Sequence, residues 1–344
     1  MHPDRDFNLQ QVMPTNAPAL MQDLELNTLL RVMSGDDEFL FDVARAALLS
    51  GLQNDLDTIA HRQAVLKDCL NNQAVIRELY DLSVRVLEER RKHWFGVFST
   101  YPSSILSGAI EMLQMLTGML GNLRSLAREH AGRFESKGFV ALFAMLEKEL
   151  NDEYFARIQT HLTDLKFREG VLISAELGRG NEGAHYVLRK PRDGKRSRLA
   201  RLLGQSPPGY TFRIADRDEA GFRALSELRD RGIHLVANAL AQSGDHILGF
   251  FQMLRAELAF YVGCLNLHGR LASKVEPICF PRPVAAGERR HRFHGLYDAC
   301  LSLHMERRTA GNSIDADRRS LIIITGANRG GKSSFLRRDR KSVV

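Results

Sequence analysis

Near the end of the chain, Gly326, Gly331, Lys332 and Ser333 fill the fixed positions of G-x-x-x-x-G-K-[ST] in the run TGANRGGKSS. That spacing suits one kind of chemistry. Glycines let successive backbone N–H groups curl toward a single anion, and a helix opening directly after them adds its N-terminal partial charge. Lys332 then reaches the outer phosphates and Ser333 offers a hydroxyl to Mg2+. The ligand expected from the motif is a phosphate chain with Mg2+, with Ser333 on the metal. Four apolar residues, Leu321 to Ile324, precede the loop and read as the buried strand that feeds it.

A second group of residues is electrostatic. In RKPRDGKRSRLAR, Arg189, Lys190, Arg192, Lys195, Arg196, Arg198 and Arg201 face one acid, Asp193, within a chain of net charge +7. Gly194 and the later GQSPPG mark a loop or extended arm. Clustered cations there suit a phosphate backbone, bound without reading sequence, but a lone basic run is more often a solvated surface loop, and only a nucleic-acid context elsewhere reverses that reading. Two further patterns carry less. Gly178, Gly180 and Gly183 match G-x-G-x-x-G, but they lie between the strand-like runs VLISAEL and AHYVLRK, so a hairpin loop is expected there and not a dinucleotide site. Cys279, His291, His294 and Cys300 fit no common zinc spacing, and no zinc site is expected.

These residues need elements to hold them. Most of 15–168 has helical spacing: Leu40, Val43, Ala47 and Leu48 share one face, and Leu56, Ile59, Val65 and Leu66 follow on later turns. Asn71 and Asn72 mark a turn. Beyond STYPSS a helix is expected from about Ile105 to His130 and another from Lys137 to about Phe167. The hairpin and basic loop occupy about 170–215 and end in a short strand, YTFRI. Helices follow over Asp218 to Arg231 and from about Ile233 to Leu271, with Gly244 and Gly249 as the candidate break points in the second. PICFPRP and HRFHGLYDACLSL read as β-rich and lead to the phosphate loop. The expected fold is therefore mainly α: a long-helix core with lever arms and a β-hairpin region over 1–271, then the first part of an α/β P-loop domain over 272–338.

With 44% apolar and 26% charged residues, the composition is that of a soluble globular protein able to bury a core. No uninterrupted apolar run reaches the length of a membrane span, and MHPDRDFNLQQ holds no signal-peptide core. The four cysteines form no C-x-x-C pair, which points to reduced thiols and a cytoplasmic setting.

Taken together, LIIITGANRGGKSSFLR resembles the ATPase loop of the MutS family of DNA mismatch-repair proteins, whose signature places an Asn inside the loop, here Asn328. HRQAVLKDCL, the helix ALAQSGDHILGFFQMLRAELAFYVGCLNLHGRL and the stretch GLYDACL to GNSIDADRRS extend the likeness upstream, strongly over 255–337 and loosely elsewhere. The resemblance implies that the phosphate chain is that of ATP, with nucleotide contacts at Gly326, Asn328, Gly330, Gly331, Lys332, Ser333 and Ser334, and Asn312 near the adenine. It further implies a DNA-associated ATPase, working as a homodimer when full length, in which nucleotide binding changes how paired helical arms hold DNA. The family's mismatch readers begin with a domain bearing a Phe-x-Glu wedge, and none precedes the helical core here. Where they stack an aromatic on adenine, this chain has Arg308, Thr309 and Ala310. Their DNA clamp is reduced to the basic stretch at 189–210, and Arg329 replaces an apolar residue in the loop.

The alternative is a nucleotide-switched helical scaffold that binds protein and not DNA. The resemblance also calls for a further strand with an acidic pair beyond the loop, so the chain reads as truncated after about Leu336 and inactive as an ATPase. Asp339 to Val344, which GATCGGAAGAGCGTCGTG from a common sequencing adapter would encode, reads as a non-native tail.

Overall fold

A computed structural model describes residues 2–50, 55–94, 101–168, 170–190, 213–328 and 330–341. Among them are eleven α-helices and two small antiparallel sheets, so the fold is mainly α, as the periodicity indicates. Local capping explains several boundaries. Helix α1 is Ala17–Asp23, and α2, Leu26–Ser34, stops where Gly35 takes a left-handed φ of 53°. Helix α3, Glu38–Leu49, starts under the Asp37 carboxylate, which accepts from Leu40 N at 3.0 Å. Asp55 caps α4, Leu56–Asn71, by accepting from the amides of Asp57 and Thr58. Asn72 then breaks the path to α5, Gln73–Trp94, and α6 covers Pro102–His130.

One long helix was expected over Lys137 to Phe167, and two are found: α7, Lys137–Glu149, and α8, Asp152–Asp164. The Asn151 side chain accepts from Tyr154 N at 2.8 Å, and Asp152 and Glu153 occupy the first turn of α8. A cap and two acids at a helix start outweigh the apolar period running through it. The opposite holds for α9, Glu219–Ala272, which is unbroken at Gly244 and Gly249. Each glycine costs about 1 kcal/mol in a helix interior, and burial of Ile233, Leu248, Phe251, Leu258 and Leu265 on the same helix exceeds that. Helix α9 is the one described helix long and apolar enough to cross a bilayer on length and composition, and half of that window is buried within the protein.

The chain forms two compact units. The first comprises Met1–Arg85, Asn122–Glu149 and Phe250–Val344, and the second Val86–Gly121 and Leu150–Gly249. In the first, Leu30, Met33 and Ala44 pack with Phe41, Phe260 and Leu267. The junction of α4 with the segment before α7 is also polar: buried Asp68 accepts from the amides of Glu135 and Ser136, the latter at 2.7 Å. In the second unit, Leu106, Ile110, Leu113, Leu162, Ile233 and Ala237 form a core that the hairpin residues Val171 and Leu188 complete.

The hairpin is as expected: β1, Leu172–Leu177, pairs antiparallel with β2, Gly183–Arg189, through a bulge between Ser174 and Glu176. The glycines of GRGNEG make its turn, with Gly180 at φ 73°. Gly232 of α9 lets the hairpin approach, since a Cβ there would fall 2.3 Å from Ile173 Cδ1.

Four β expectations are corrected. PICFPRP contains no strand, and Arg213 and Ile214 of YTFRI lie outside any strand, while Tyr210 to Phe212 fall outside the described residues. Only Arg292–Leu296 of the second stretch is a strand, β3. The residues after it form α10, Ala299–His304, because Asp298 accepts from the amides of Cys300 and Leu301 and so starts a helix. The partner of β3 is β4, Asn312–Asp315, where Gly311 backs directly onto Gly295 with no room for a Cβ. Leu321 to Ile324 is not a buried strand either: Leu321 is 75% and Ile323 74% exposed. A strand requires a neighbour for its N–H and C=O groups, and no described residue pairs with this segment.

Candidate functional site

The glycine loop sits ahead of the last helix, α11, Lys332–Lys341. Its curl depends on residues without side chains. Gly326 and Gly331 have φ of 152° and 83°, and a Cβ on Gly330 would lie 2.9 Å from the Ala327 carbonyl oxygen. Gly330 N donates to Ala327 O at 3.0 Å, which closes the turn, and Phe335 N donates to Gly331 O at 2.9 Å as the helix begins. Lys332 folds back over the loop, its Nζ donating to Gly326 O at 2.6 Å and Ala327 O at 2.8 Å. Asn328 and Ser333 are exposed and Ser334 half-buried, while Arg329 falls outside the described residues.

This geometry fits a polyphosphate. The loop is a cradle that a Cβ at Gly330 would fill, and it holds an ammonium at its mouth beside an exposed hydroxyl on the first turn of a ten-residue helix. Gly330→Ala is expected to open the Ala327 turn and weaken nucleotide binding by about tenfold, roughly one charge-assisted hydrogen bond, while leaving helix content unchanged. Circular dichroism alongside a nucleotide titration checks both, and full affinity in the variant would refute the cradle.

Helix α11 is anchored on its far side. The Phe335 ring lies 6.2 Å from that of Phe293 on β3, and the Arg338 guanidinium stacks 4.7 Å above Phe335. Arg338 is 7% exposed, and burial lowers its pKa while Asp298 and Asp339 offset part of that. Arg337 pairs with Glu25, the left-handed residue ahead of α2. Asp339 contacts His291 Nε2 at 3.0 Å.

Asn312 opens β4 opposite Leu296, and no hydrogen bond or ion pair among the described residues joins it to the loop. A buried carboxylate that no sequence pattern marks organises the segment beside it. Glu276 is 5% exposed, and its Oε1 accepts from Ser302 Oγ at 2.7 Å and Thr309 N at 2.9 Å, with Arg308 Nε 3.9 Å from Oε2. It thereby fixes the stretch Arg308 to Ala310. Tyr297 nearby is pushed up to about 12, mainly by burial and further by the Glu276 charge.

Of the basic set, Arg189 ends β2 and donates from Nε to Ser174 Oγ at 2.8 Å, and Lys190 Nζ lies 3.5 Å from Asp164. Arg192, Lys195, Arg196, Arg198 and Arg201 fall outside the described residues. The drawn zinc set does not converge. His294 Nδ1 meets Ser313 Oγ, the buried Cys300 thiol faces the Glu25 carbonyl and Cys279 is exposed; no cluster of three metal-binding side chains occurs among the described residues.

A mainly helical chain with a hairpin between helices, followed by a glycine loop ahead of a helix, defines a helical-core protein joined to a glycine-loop segment. A family model, the MutS2 N-terminal domain, matches residues 54–274, and the chain belongs to that family. The MutS likeness therefore narrows to MutS2. No curated protein matches the chain. The family match stops short of Gly326 to Ser334, so the loop rests on its own geometry.

Proposed function

We propose that this chain belongs to a MutS2-like, DNA-associated ATPase, in which ATP and Mg2+ held at Gly326 to Ser334 control how the helical region grips DNA. The observation that carries the nucleotide reading is the loop geometry, with its three required glycines and Lys332 poised on the loop carbonyls. In this reading Lys332 leaves those carbonyls for the outer phosphates, Ser333 turns its hydroxyl to Mg2+, and the amides at the start of α11 face the phosphate chain. Bound Mg2+ would supply charge neutralisation between phosphates. The protein works in the cytoplasm as a homodimer.

DNA is held by its backbone through the cations from Arg189 to Arg201, which follow directly on the exposed end of β2. Titration of the chain with Mg-ATP tests the first half, and absence of any uptake would defeat it. For the second, replacing Arg196, Arg198 and Arg201 together by Gln should flatten the slope of log affinity against log salt by about 2 to 3, since each phosphate contact contributes roughly 0.9. The loss should be equal for all DNA sequences. If it is confined to one sequence, the arm reads bases; if DNA does not bind even at low salt, the protein-scaffold reading stands in its place. That second reading draws on Phe222, Leu225 and Leu228, exposed apolar residues near the start of α9.

A further inference from the structure

We propose that the first compact unit carries a second phosphate-binding site, separate from the glycine loop, in the cleft where Arg31 of α2, Arg77 of α5 and Arg270 of α9 meet. The three arginines line one open cavity of about 570 Å3, within the size range of ligand sites, and Asp36 is the only acid among its lining residues. All three arginines are exposed, so their charges are hydrated and available.

The arrangement is fixed where it needs to be. Asn266 uses its amide nitrogen to donate to Met33 O at 2.9 Å, which leaves its oxygen to accept from Arg77 at 2.9 Å. Gly35, at a left-handed φ, turns the chain past Asn266, whose Nδ2 would be 3.9 Å from a Cβ there. Arg77 is thus held at the cleft with donors to spare. Helix ends account for only part of the charge. Arg31 and Arg270 occupy the last turns of α2 and α9, where a cation offsets the negative pole. Arg77 is the fifth residue of α5 and gains nothing of the kind, yet it faces the same cavity as two other cations. A ligand with several negative oxygens relieves that repulsion and matches the planar forks of arginine. The chemistry is that of linked phosphates, either a short polyphosphate chain or consecutive phosphates of a nucleic-acid backbone.

The test uses the purified chain carrying Lys332→Ala together with Arg196→Gln, Arg198→Gln and Arg201→Gln, so that the outcome depends on neither the glycine loop nor the basic stretch after β2. Calorimetric titration with tripolyphosphate at low salt should show binding. Adding Arg31→Gln, Arg77→Gln and Arg270→Gln together should weaken it at least about tenfold, through loss of charge-assisted contacts. Equal affinity, or no binding before the arginines are changed, overturns the site. Should the triple variant misfold, the single changes Arg31→Gln and Arg270→Gln carry the test, each expected to weaken binding about threefold. Competition by short duplex DNA assigns the cleft to backbone phosphates, and failure of DNA to compete assigns it to a free polyphosphate.

Discussion

Lys332→Ala is expected to weaken Mg-ATP binding about 100-fold and to leave the helical fold intact. The magnitude follows from the contacts. A single ammonium that now satisfies two carbonyl oxygens would move to two phosphate oxygens, and each charge-assisted hydrogen bond contributes about 1.5 kcal/mol or more. Lys332→Arg should recover only part of the loss, because a planar fork does not occupy the place of a compact point charge. Fluorescence titration with an ATP analogue measures the affinity and circular dichroism the helix content. Unchanged affinity in the alanine variant would remove Lys332 from the site.

The largest effect on stability is expected at Asp68→Ala. This carboxylate, 5% exposed, accepts from Glu135 N and Ser136 N directly ahead of α7. Its removal leaves the buried Ser136 amide and the part-buried Glu135 amide without this acceptor and takes a negative charge from the start of a helix, for a combined loss of about 3 kcal/mol. Asp68→Asn keeps one acceptor oxygen and should lose about half as much. Urea denaturation of the three proteins gives the comparison. A shift below about 0.5 kcal/mol for the alanine variant would show that water replaces the carboxylate without penalty.

Much of this architecture is written locally. Asn72, after the last residue of α4, separates α4 from α5, and the glycines between two alternating runs announce the hairpin. Other features depend on competition that a periodic pattern does not display. Leu150 keeps the apolar rhythm across the α7–α8 junction, yet the Asn151 cap decides the outcome. In α9 the reverse occurs, and buried partners carry the helix through two glycines. Leu321 to Ile324 has the composition of a buried strand, but burial is a property of neighbours, and the run is exposed. The candidate site divides in the same way. The glycine positions are legible because a backbone conformation demands that residue type, whereas Glu276 is an ordinary glutamate until Ser302 and Thr309 fold around it.

The cysteines offer a practical route to watching this protein. Cys279 is exposed in the segment that rests on α4, where Lys67 lies 5.0 Å over the Phe280 ring and Gln63 Nε2 donates to Pro281 O. Cys69 and Cys300 are buried, and burial pushes the Cys69 and Cys264 thiols up, the latter to about 12, so at neutral pH Cys69 and Cys264 present almost no thiolate and Cys300 is shielded from a reagent. A maleimide fluorophore would therefore attach to Cys279 without any engineered substitution, and its emission would report on the surface between α4 and the chain leading to the glycine loop.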